Sequence, residues 1–131
     1  MIFPAVFILL YVAHSLSDYP LQTDHQSDHK AEPGRIGWTA NLIHAGTHVA
    51  TSGILLAAGA AILDLHLNAW VVAVGLLWIG ATHSFIDRRW PIRWWMNNTG
   101  QTEYLTNGGA AHVDQSVHLA ALAVAALGIA A

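Results

Sequence analysis

Residues 14–30 read "HSLSDYPLQTDHQSDHK", placing three histidines, three aspartates and two glutamines at the end of the apolar stretch Ile2–Leu16. Ionisable groups at the edge of a low-dielectric helix need compensating partners. Such partners recur along the chain at one spacing. His14 and Asp18, His44 and His48, His83 and Asp87, and Asp114 and His118 are each four residues apart. On a helix, this spacing puts both side chains on one face, about 6 Å apart along the axis.

Composition defines the setting for these pairs. The chain has 131 residues, of which 54% are hydrophobic and 10% charged, against about 25% charged in an average soluble domain. This predicts one integral-membrane domain spanning residues 1–131. The absence of cysteine removes disulfides and thiolate metal sites. A net charge of -3 supplies no basic surface for nucleic acid.

Four apolar stretches, Ile2–Leu16, Leu42–Leu63, Ala69–Phe85 and Val117–Ala131, predict an all-α bundle of four transmembrane helices. Their extents are about 1–19, 39–63, 69–87 and 112–131. Crossing the hydrocarbon core takes roughly 17–25 residues, so the first and last suffice only by including their polar ends. A signal peptide is an alternative for the first stretch, but nothing basic precedes it and no clear small-x-small cleavage site follows. Helices are favoured because backbone groups in lipid must be satisfied within the segment.

The two long polar connections, 20–38 and 88–111, fall on one side of the membrane, opposite the short "DLHLN" turn. All five basic residues, Lys30, Arg35, Arg88, Arg89 and Arg93, lie in the long connections. The positive-inside rule places that side in the cytoplasm of an inner-membrane protein, with both termini outside. Trp38, Trp90, Trp94 and Trp95 fit an interfacial belt there, and "RRWPIRWW" suits a segment lying along lipid headgroups.

This topology brings all four pairs to the loop-side end of the bundle. His14, Asp18, His44, His48, His83, Asp87, Asp114 and His118 are therefore the candidate metal ligands. His14 to His44 and His83 to Asp114 span 30 and 31 residues, which suggests two parallel helical-hairpin repeats about an axis along the membrane normal. Outside these motifs the halves share little. Gly53, Ala57 and Ala61 permit close helix approach, within one chain or between subunits of a homo-oligomer.

The opening segment resembles the H-x-x-x-D-F-x-L-Q-T-D-W-x-x-x-x-K signature of small bacterial and phage membrane proteins grouped as domain of unknown function 3307. His14, Asp18, Leu21, Gln22, Thr23, Asp24 and Lys30 match it, as do His44, "HSFID" at 83–87 and "DQSVHL" at 114–119. Tyr19 replaces the usual Phe, and His25 the usual Trp. The resemblance implies a polytopic membrane protein with these motif residues as its functional set, and supplies no reaction.

The chemistry follows from the residue types. Imidazole and carboxylate suit Zn, Mn or Fe, and eight ligands suffice for two divalent ions roughly 3.5–4 Å apart. Gln22 and Gln115 offer amides that would orient a ligand or substrate, and Asp24 offers a base for water activation. Lys30, Arg88, Arg89 and Arg93 would hold a phosphate, although positive-inside anchoring also explains them. The resulting expectation is a metal-dependent hydrolase acting on a phosphate or ester of a membrane lipid or small molecule.

Other classes use the same residues. A metal-ion or proton transporter or channel needs polar steps to the far side, where only Asp64, His66 and Asn68 lie. Paired histidines in a membrane bundle suit haem. A phage membrane-perturbing protein needs no organised site, and a structural hydrogen-bond network needs no ion.

Overall fold

A computed structural model describes residues 2–131; the expected helix start at Met1 lies outside the described residues. The chain forms α1 (Ile2–Asp18), α2 (Asp24–His29), α3 (Gly34–Ile62), α4 (Ala69–Ile86), α5 (Trp90–Asn98), the short turn α6 (Thr102–Tyr104) and α7 (Ala110–Ala130). No strand occurs among the described residues. α3, α4 and the helical segment Thr102–Ala130 are each long and apolar enough to cross a membrane, whereas α1 is a shorter apolar helix of 17 residues. The four long helices form a closed ring in which α1 packs on α3 and α7, and α4 packs on the same two.

The long connections are more helical than expected. Thr23 caps α2 by accepting from the Gln26 N–H at 3.2 Å, while Gln26 Oε1 accepts from the Thr23 N–H at 3.0 Å, completing a capping box. α3 begins at Gly34, several residues before the expected start, because Pro33 sets an extended N-cap and the first turns need not be apolar outside the core. α5 carries Pro91 in its first turn and buries Ile92 and Met96, one turn apart, on a single face. Between α6 and α7, Leu105–Gly109 forms a wide π turn kinked at Asn107 and Gly108, where φ of +88° suits glycine.

Each long helix turns one stripe inward. In α1 it is Val6, Leu10, His14 and Asp18; in α3, His44, His48, Ser52 and Leu56; in α4, Gly75, Ile79 and His83; in α7, His118, Leu122 and Ala125. At one end these stripes form a packed apolar layer of Val6, Leu10, Leu56, Ile79, Leu122 and Ile129. A Cβ on Gly75 would come within 2.7 Å of the Ile129 side chain, which would have to shift, so glycine at that position suits the close packing of α4 on α7. At the other end the inward positions are imidazoles and carboxylates.

The outward faces complete the contrast. Ile54, Ile62, Trp70, Leu77 and Leu127 are exposed, with Trp70 at 83% and Ile62 at 80%, while His44 is 0% exposed and His48 1%. A soluble bundle arranges polarity the other way round. Apolar exteriors over a polar interior layer fit helices solvated by lipid.

Candidate metal centre

Asp18 ends α1, and its carboxylate collects side chains from three other helices. Oδ1 lies 3.2 Å from His44 Nε2, 3.1 Å from His48 Nε2 and 3.7 Å from His83 Nε2. Oδ2 lies 3.2 Å from His14 Nε2 and accepts from Gln115 Nε2 at 3.1 Å. Asp87, directly after α4, forms a second focus. Its Oδ2 is 3.2 Å from His83 Nε2, 3.5 Å from His44 Nε2 and 3.0 Å from Lys30 Nζ, and its Oδ1 is 4.0 Å from His118 Nε2. Asp114 Oδ2 stands 3.5 Å from His118 Nδ1.

All eight predicted ligands therefore meet at one end of the ring. Their donor atoms form three groups, each with atoms within 4.8 Å of one another: His14, Asp18, His48 and His83; His44, His83 and Asp87; and Asp87, Asp114 and His118. Ligand atoms sharing one ion at bond lengths near 2.0–2.2 Å lie about 3.0–3.5 Å apart, a range that holds the contacts of His14, His44 and His48 with Asp18 and of His83 and His44 with Asp87, while His83–Asp18 and His118–Asp87 are longer. Histidine rings stack across the group, with centroids 3.5 Å apart for His48 and His83 and 4.3 Å for His83 and His118.

Hydrogen bonding satisfies the Asp18 half, where Oδ1 bonds to His44 and His48 and Oδ2 to Gln115, but leaves the Asp87 half poorly satisfied. His83 Nε2 and both ring nitrogens of His118 are buried without a hydrogen-bond partner among the described residues, and Asp87 Oδ2 has only its ion pair with Lys30. The 3.2 Å approach of His83 to Asp87 thus lacks hydrogen-bond alignment. Unpaired buried polar atoms each cost about 1–3 kcal/mol, and a cation among them would satisfy several at once. This donor set fits one or more divalent ions, and the protons on the imidazoles are a matter of tautomer.

The other predicted site residues divide. Gln115 donates to Asp18 and its Oε1 faces His14 Nε2 at 3.2 Å, so it braces two candidate ligands across the α1–α7 contact. Gln22 instead donates to the backbone carbonyl of Asp18 at 2.9 Å and fixes the end of α1. Asp24 is exposed in the first turn of α2, where its charge complements the helix N-terminus, and it shares none of the cluster's polar contacts. The capping box that puts it there is readable in Thr23 and Gln26.

The basic residues tie the connections together. Arg88 donates to the carbonyls of Lys30 at 2.9 Å and Glu32 at 2.6 Å and lies 4.5 Å over the Trp38 ring. Arg89, held at φ +61°, donates to the Ser27 carbonyl at 3.3 Å. Lys30 is buried against Asp87, an inward turn that its position in a polar segment did not reveal. A cavity of about 370 Å³ opens beside these groups, lined by Lys30, Asp87, Arg89, Arg93, Gly108 and Asp114, among others. It joins the cation-rich connections to the edge of the His/Asp cluster.

No curated protein and no solved structure matches the chain. The family expected from the motifs does match, over residues 6–131, and it extends across every residue of the cluster. The chain belongs to the family described as protein of unknown function (DUF3307).

Proposed function

We propose that this protein is an inner-membrane, metal-dependent hydrolase. On this reading, a two-ion His/Asp centre sits at the cytoplasmic boundary and acts on a phosphate or carboxylic ester of a lipid or small molecule. The observation that carries it is the junction of the His/Asp cluster with the cavity beside Lys30, Arg89 and Arg93. The orientation follows from the five basic residues in the long connections and none in the short one, with both termini on the far side.

Bound divalent ions would supply a nucleophile at neutral pH and neutralise charge on the ester. The chain's residues would do the rest. Arg89 and Arg93 would hold an anionic group at the cavity, and Gln115 would keep Asp18 and His14 oriented. Asp114, half-buried and lining the cavity, is better placed for proton transfer than the exposed Asp24. A transport reading is less favoured, because the packed layer of Val6, Leu10, Leu56, Ile79 and Leu122 fills the interior beyond the cluster.

The direct test is metal analysis of detergent-purified protein before and after chelation. Wild type should carry divalent metal, and Asp18→Ala, which removes the carboxylate nearest to His14, His44 and His48, should lose most of it. Equal metal content in both would remove the centre and the hydrolase reading with it.

A further inference from the structure

The two carboxylates at the heart of the cluster are not equivalent. Asp18 is surrounded by imidazoles and the Gln115 amide. Asp87 faces a fixed positive charge, with Lys30 Nζ 3.0 Å from Oδ2. Lys30 belongs to the connection after α2, not to the four-helix ring, and its side chain is 11% exposed. The contact is an ion pair without hydrogen-bond alignment, since Asp87 Oδ2 has no hydrogen-bond partner. The same ammonium also borders the 370 Å³ cavity.

An ammonium and a divalent ion cannot both sit closely on one carboxylate oxygen without strong like-charge repulsion. Among the described residues, no lysine or arginine pairs with Asp18. From this we infer that Lys30 holds the place of the second cation: the centre takes one divalent ion firmly around Asp18, and a second at Asp87 only in exchange for Lys30. When displaced, Lys30 has the adjoining cavity to enter, where it would join Arg89 and Arg93 as a third cation facing an anion. Filling the second metal position and completing the anion site would then be one event. The inference rests on the metal centre proposed above.

The test is a titration of chelator-stripped, detergent-solubilised full-length protein with Mn²⁺ or Zn²⁺, read by calorimetry. Wild type should bind two ions in separate phases. In Lys30→Gln the weaker phase should tighten roughly 10–100-fold, the range over which groups bordering a metal site move its affinity. Lys30→Arg should keep the phases apart. Because Lys30→Gln removes the charge that balances Asp87 and can impair folding, wild type supplies an independent reading. Acetylation of Lys30, followed by mass spectrometry, should stay slow with one equivalent of metal and accelerate with the second.

Two ions of equal affinity in wild type, an unchanged weaker phase in Lys30→Gln, or Lys30 reactivity indifferent to the second equivalent would each overturn the exchange. The metal centre would survive all three results. Absence of any binding in wild type would instead overturn the metal centre, and the exchange with it.

Discussion

Gln115 Nε2 donates to Asp18 Oδ2 at 3.1 Å, joining the first turns of α7 to the last turn of α1 across 97 positions of sequence. Its carbonyl oxygen at the same time faces His14 Nε2. One amide thereby sets the orientation of a carboxylate and an imidazole that belong to the same candidate ligand group. Gln115→Ala removes that brace while leaving all eight candidate ligands in place. Metal affinity should fall roughly 10–100-fold, with the helical circular dichroism unchanged. Unaltered affinity by calorimetry would mean that Gln115 only fastens two helices.

His14 and His118 come from opposite ends of the chain, yet their ring centroids are 5.1 Å apart. They fall in different ligand groups, the first with Asp18 and the second with Asp87 and Asp114. His14→Ala and His118→Ala should each reduce bound metal. If the two groups hold neighbouring ions, linked through the intervening group of His44, His83 and Asp87, the losses should not add, because contacting sites couple by about 0.5–3 kcal/mol. Strict additivity in a double-mutant cycle would separate the groups into independent sites, and unchanged metal in both variants would remove them.

Much of this site was legible in the sequence because its periodicity is helical. Four i, i+4 pairs at the ends of apolar stretches are enough to put eight side chains in one layer once the helices alternate in direction. The structure brings all eight together. What was not legible lies in the connections, where no hydrophobic period guides the reading. Lys30 turns inward because α2 is capped and packs on α3, and a cation in a polar segment gives no sign of that direction. Closeness to the ligands in sequence points to Asp24 as a base, but the Thr23–Gln26 capping box commits it to the exposed start of a helix. The buried link of Asn41 to Ser84, in which the amide donates to the Ser84 carbonyl at 3.0 Å, was equally hidden, since neither residue carries a charge pattern.

The connections before α3 and after α4 hold each other through Arg88 and Arg89, whose guanidinium groups donate to the carbonyls of Lys30, Glu32 and Ser27. They must therefore share a side of any membrane the helices cross. Single cysteines placed by Ser27→Cys and Thr99→Cys should react together with an impermeant maleimide only from the cytoplasmic face of inverted vesicles. Labelling of both from the outer face of intact cells would reverse the proposed orientation and keep the site. Labelling from opposite faces would contradict the ring itself.

The hydrolase reading makes the most exposed prediction. The candidate ligands lie where apolar helix exteriors give way to Trp90, Trp94 and Trp95, which are more than half exposed on or beside the amphipathic α5. Aromatic side chains of this kind sit at headgroup level, so a lipid ester could meet the cavity without its tails leaving the bilayer. Arg93 lines the cavity but stands outside the ligand groups. Removing it should therefore weaken binding of an anionic substrate more than the chemical step. With metal-loaded protein and detergent-dispersed phospholipids, release of phosphate or a soluble headgroup should depend on Asp18. Arg93→Ala should raise KM about 10-fold or more with kcat little changed, as expected when binding common to ground and transition states is lost. Asp114→Asn should do the reverse, lowering kcat about 10²-fold or more, the scale of general acid–base assistance. Turnover by Asp18→Ala equal to wild type would assign the activity to a contaminant. No turnover across lipid and soluble phosphate and carboxylic esters, with metal still bound, would refute hydrolysis and leave the cluster as a binding or redox centre.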